Sequence, residues 1–64
     1  MSDTESCKGT DGDKREIYKD SAGEWRWRRF ASNGKQVGKS SEGYVNKVDC
    51  IANARRNGMD CDPE

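Results

Sequence analysis

Leucine is absent from this 64-residue chain, and its strong aliphatic and phenyl residues are only six: Ile17, Phe30, Val37, Val45, Val48 and Ile51. A core of that size is marginal, because a short chain buries a smaller share of its surface than a long one. Chains of this length commonly need a disulfide, a metal or a partner to stay folded. Two tryptophans and two tyrosines add to the burial, each ring removing roughly 150–250 Å² from water when covered. Twelve basic and twelve acidic residues cancel, so the large net charge that keeps weakly apolar chains disordered is missing. One small domain is expected, with self-association as the simplest way to complete its core.

The cysteines argue for association rather than for a staple. Cys7, Cys50 and Cys61 are odd in number and widely spaced, form no C-x-x-C pair, and are accompanied by no histidine. One chain therefore cannot supply a four-ligand structural zinc site. The expectation is reduced thiols, no disulfide framework, no metal and no cofactor. No apolar run follows Met1, and nothing approaches the eighteen or so apolar residues of a membrane span. A soluble, cytoplasmic protein with no membrane partner is expected.

Charge is segregated along the chain. Residues 1–24 carry seven acids and four bases, residues 25–58 eight bases and two acids, and residues 59–64 three acids and no base. A basic centre between acidic ends fits an anionic partner, and it fits equally well acidic tails that screen their own domain.

Read in order, residues 1–14 are polar and aperiodic and are expected as a disordered tail, leaving 15–62 as the domain. Arg15 to Lys19 reads as a strand ending at Asp20-Ser21-Ala22-Gly23, a turn with aspartate opening and glycine closing. That loop length sets Lys19 opposite Glu24 and Tyr18 opposite Trp25. Glu24 to Ala31 alternates, Trp25 and Trp27 pointing one way and Arg26 and Arg28 the other, which is the period of a strand. Asn33-Gly34 marks a second hairpin, with a third strand from Lys35 to about Ser40. A strict two-residue turn places Arg28 across from Lys39, a like-charge pair, whereas a bulge shifts the register by one; the sequence leaves both open. Asn46 reads as a helix N-cap with Asp49 in the first turn. The helix is expected over Lys47 to Asn57, with Val48, Ile51, Ala52 and Arg55 on one stripe and Gly58 beyond its end. Met59 and Cys61 alternate with Asp60 and Asp62 as a short last strand. The fold class is α+β: a three-stranded antiparallel meander, one helix and a possible C-terminal strand. Tyr18, Trp25, Trp27, Val48 and Ile51 are the expected core anchors.

Catalysis is not expected. There is no histidine to act as a base, and nothing in the sequence lowers a cysteine pKa. Gly38-Lys39-Ser40 ends like a phosphate loop, but the glycine that such a loop needs five residues earlier is Asn33, so a strand end is the better reading. Arg26, Arg28 and Lys39 are the candidate contacts for an anion or a nucleic acid, since basic groups among aromatics on a strand are how sheets hold single strands. The same alternation also reads as tryptophans in the core and arginines on an ordinary solvated face.

The elements Ile17-Tyr18-Lys19-Asp20, Gly23, Arg26-Trp27-Arg28, Asn33-Gly34, Ser41-Glu42-Gly43-Tyr44 and Lys47 resemble the YegP-like family of small domains of unknown function. The resemblance runs from Glu16 to about Asn57. It implies a β-β-β-α-β unit that, in single copy, dimerises by exchanging C-terminal strands. The partners expected are therefore a second copy of the chain and an unidentified protein, with single-stranded nucleic acid as the alternative. Arg15, Arg29 and Gln36 depart from the family by standing where aromatic or apolar residues are usual, and the segment after Gly58 is shorter than usual.

Overall fold

A computed structural model describes residues 4–64. It contains strands β1 (Thr4–Lys8), β2 (Lys14–Lys19), β3 (Trp25–Phe30) and β4 (Gln36–Lys39), followed by helix α1 (Lys47–Arg56). The strands form one antiparallel sheet in the order β1-β2-β3-β4. The class is α+β, but the chain runs β-β-β-β-α. The segment expected as a disordered tail supplies β1; residues 1–3 lie outside the described residues.

All three hairpins share one loop design. Gly12, Gly23 and Gly34, spaced eleven residues apart, have φ of 86°, 80° and 86°, values that glycine adopts without steric cost. Each closes a three-residue loop: Gly9 N bonds Asp13 O, Asp20 N bonds Glu24 O, and Ala31 N bonds Lys35 O, at 2.8–3.0 Å. A three-residue loop moves the first expected register by one, so Lys19 faces Trp25 and Tyr18 faces Arg26. In the third hairpin Phe30 faces Gln36, yet Arg28 faces Lys39, because the register shifts between Arg29 and Phe30. Val37 is the extra residue of that bulge. The bulge therefore restores the like-charge pair instead of removing it.

One face of the sheet carries the core. Ile17 and Trp27 are cross-strand partners and are covered by Cys50 and Ala54 of α1 and by Met59, with Cys7, Trp25, Tyr44, Ile51 and Cys61 packed around them. The helix stripe is rotated from the expected one. Cys50 and Ala54 face the sheet, while Val48, expected as an anchor, is 75% exposed. Small side chains let the helix sit close to the sheet, and Asn53 fixes its rotation by accepting the Trp27 indole N–H at 2.8 Å. Tyr18, also expected in the core, lies on the opposite face, because Arg15 and Ile17 fill the covered one.

Asn46 and Asn57 flank the helix at its two cap positions, and the Asn46 side chain makes no capping bond. Met59 N bonds Ala54 O at 3.0 Å and Gly58 N bonds Arg55 O at 3.2 Å, the pair of bonds that closes a helix through a left-handed glycine. Beyond it no strand forms, although Ser6 and Glu64 exchange two backbone hydrogen bonds of 3.1 Å. The C-terminal segment thus lies along its own β1. A disulfide joins Cys7 to Cys61, with Cα atoms 5.9 Å apart, which corrects the expectation of three reduced thiols. Sequence spacing does not show this pairing, because it depends on β1 lying beside β2 in the sheet.

Arg15 and Arg29 share the covered face and are held by acids of the first turn. Arg15 is 2% exposed and donates to both Asp11 carboxylate oxygens at 2.8 and 3.0 Å and to the Gly58 carbonyl at 3.1 Å. Arg29 donates to Asp13 at 2.6 Å. Asp60 accepts from the Thr10 backbone N–H at 3.1 Å and from the Thr10 hydroxyl. Arg15 and Arg29 thus close the turn end of the core with ion pairs.

Candidate functional site: the uncovered sheet face

The face away from α1 is uncovered in this chain. Register places Lys8 of β1, Lys14, Glu16 and Tyr18 of β2, Arg26, Arg28 and Phe30 of β3, and Lys39 of β4 on it. The three cationic residues singled out from sequence, Arg26, Arg28 and Lys39, are therefore on one face, but their surroundings differ. Arg26 donates through Nε to Asp20 at 2.6 Å, and that bond holds the Asp20 carboxyl below its usual range. Arg28 donates through Nε to Glu16 at 2.6 Å, and Lys14 reaches the other Glu16 oxygen at 3.0 Å. Burial pushes the Glu16 carboxyl up, but these two cations outweigh it and the net direction is down. Among the described residues, Lys8 and Lys39 have no carboxylate partner.

Two aromatic rings lie among these cations. The Arg28 guanidinium sits 4.3 Å from the centre of the Tyr18 ring and 5.7 Å from that of Phe30, within the range of cation–π attraction. A concavity of about 550 Å³ opens beside them, walled by Lys8, Lys14, Glu16, Phe30 and the loops at Gly12 and Gly34. Strand alternation already sets the tryptophans on the face opposite Arg26 and Arg28, and it leaves the place of Tyr18 unread. The rings that share the arginine face are Tyr18 and Phe30, and Lys8 and Lys14 join them from strands that the charge pattern did not align. The signal was available in the alternation itself: even-numbered residues from Lys14 to Tyr18 and from Arg26 to Phe30 fall on one face.

Elsewhere the side chains suit structure. Cys50 is fully buried, and burial pushes its thiol up to about 11, which disfavours the nucleophilic thiolate. Ser40 is buried, its hydroxyl accepting the Trp27 backbone N–H at 3.3 Å, so Gly38-Lys39-Ser40 closes β4. Among the described residues, no group of three or more acidic, cysteine or histidine side chains is placed to hold a metal ion, and no helix is long and apolar enough to cross a membrane.

Comparisons with curated proteins and with solved structures gave no match. The family described as Domain of unknown function (DUF1508) matches residues 20–60, which span β3, β4 and α1. β1, the whole of β2 and both bridged cysteines lie outside that match. The match covers more than half of the chain, and the chain belongs to this family of YegP-like small domains.

Proposed function

We propose that the chain is a non-catalytic interaction module that works as a homodimer, with a second copy covering the apolar surface around α1 and β4. The observation that carries this reading is the exposure of Val37, Val45 and Val48 at 54%, 81% and 75%. In a chain with six strong aliphatic and phenyl residues, half of them face solvent. Covering a valine contributes roughly 1.5–3 kcal/mol relative to leaving it exposed, so association has much to gain. The outer edge of β4 supports the same reading. It offers unpaired backbone groups to which a second copy can bond.

The strand exchange implied by the family resemblance carries Cys61 to the partner's β1 and makes the bridge intermolecular. A bridge within one chain leaves a dimer that denaturant separates into 7.2 kDa chains. A cytoplasmic location exposes the bridge to reduction, since disulfides persist mainly in oxidising compartments; trapping thiols with an alkylating agent at lysis reads the state in the cell.

Sedimentation at low micromolar concentration tests the dimer. A dimer that Val45→Ser/Val48→Ser converts to a folded monomer supports the reading; a folded monomer in the parent overturns it. Mass measurement in non-reducing denaturant then separates an intrachain bridge from an exchanged one.

A further inference from the structure

We propose that the uncovered sheet face is a binding site for single-stranded nucleic acid, with Lys8, Lys14 and Lys39 on the phosphates and Tyr18, Arg28 and Phe30 as the planar groups against which bases stack. Three observations converge on it, and none depends on the dimer.

The first is a charge arrangement that works against folding. Lys8 lies directly opposite Lys14 on β1 and β2, and Arg28 lies directly opposite Lys39 on β3 and β4. Like charges in directly opposed positions destabilise a sheet. Both pairs occur on the same face, and the second exists only because the Val37 bulge returns β4 to that register. A bound polyanion offsets the repulsion within both pairs, because each cation is then attracted to the phosphates between them. The face holds five cations, counting Arg26, against Glu16 and Asp20, a surplus of three in a chain whose total charge is zero.

The second is the placement of the rings. Cations alone fit any polyanion. Here Arg28 lies over Tyr18 at 4.3 Å with Phe30 on its other side, so ring and guanidinium planes stand in the middle of the charged field. Aromatic rings and arginine planes accept unstacked bases, which a duplex does not offer. Glu16 keeps Arg28 in position from the side.

The third is shape. The concavity of about 550 Å³ has Lys8 and Lys14 on its walls and Phe30 beside them. A phosphate on the lysines and its base on the ring fit the two kinds of wall.

The test uses the full 64-residue chain with its bridge intact and a fluorescent twelve-residue oligothymidylate. A duplex of the same length and polyglutamate serve as competitors. The oligonucleotide is expected to bind at low salt, with a log–log salt slope near −2 for about three neutralised phosphates. Lys8→Ser/Lys39→Ser should reduce that slope toward −1 and melt no lower than the parent, since it relieves both like-charge pairs. Tyr18→Ala should weaken binding about tenfold with the slope unchanged, the size of one lost stacking contact. Competition by the duplex or by polyglutamate as strong as that by unlabelled oligothymidylate overturns the assignment, because it shows that charge alone is read. Absence of binding at low salt overturns it as well. Oligomeric state is measured on the same samples, so that failure of the dimer and failure of the site are seen separately.

Discussion

Trp27 donates its indole N–H to the side-chain oxygen of Asn53 at 2.8 Å, and this bond determines which face α1 presents to the sheet. Asn53 lies beside the buried Ala54, so its amide meets the one polar atom of an otherwise apolar ring. An unbonded buried indole N–H costs roughly 1–3 kcal/mol. Asn53→Ala should destabilise the fold by about that amount. Trp27→Phe should cost more, because it also removes packed volume. The double variant should lose less than the sum of the two, as coupled neighbours do. Denaturant unfolding of the four proteins checks this, and strict additivity contradicts the bond.

Acid should weaken the fold in a defined window. The hydrogen bonds from Arg15 hold the Asp11 carboxyl at about 2, against an ordinary value of 3.8. Asp20, Asp60 and Glu16 are also lowered, by Arg26, by Thr10, and by Arg28 with Lys14. A folded-state value below the unfolded one means stability that is complete above the unfolded value and lost as pH falls through the folded one. The melting temperature should be level from about pH 7 to pH 5 and fall from about pH 4 to pH 2. Asp11→Asn should flatten part of that fall. A profile level down to pH 2 contradicts the paired carboxylates.

The Cys7–Cys61 bridge spans 54 positions, and closing a loop of that length restricts the unfolded chain by about 4 kcal/mol on the entropic account. Cys7→Ser/Cys61→Ser should lower stability by up to that amount, comparable with the whole stability of a small domain. Cys50 provides an independent readout. Buried and with its thiol pushed up to about 11, it should resist alkylation in the bridged protein near neutral pH and react in the double variant as that protein opens. Equal resistance in both proteins contradicts a stabilising bridge.

The parts of this fold legible from sequence are those fixed by local chemistry. Turn glycines, the alternation of Trp25 to Phe30, and the Asn46 and Gly58 ends of the helix are all governed by near neighbours. Register was less legible, because one residue more or less in a loop changes every pairing beyond it; Lys19 opposite Trp25 rather than Glu24 is such a step. β1 escaped because Thr4-Glu5-Ser6-Cys7-Lys8 carries no apolar alternation and pairs only through a neighbour already in place. Strand period places Arg26 and Arg28 on one face, away from the tryptophans, but Lys39 joins them only through a bulge that the sequence leaves open. Tyr18 looks like a core residue until Arg15 and Ile17 are seen to fill that side. Arg15 itself misleads, because a charge in sequence gives no sign of the acids that gather around it.

Ser6 and Glu64 meet through paired backbone bonds, and the next residue of β1, Cys7, is tied to Cys61. The bridge thereby closes a covalent ring that runs through β2, β3, β4 and α1. The ring closes on β1, the edge strand farthest in the sheet from β4. The clasp therefore sits at one margin of the sheet and leaves the opposite margin unclasped, and a backbone cut at Asn33-Gly34 should leave the two pieces covalently joined through Cys7 and Cys61.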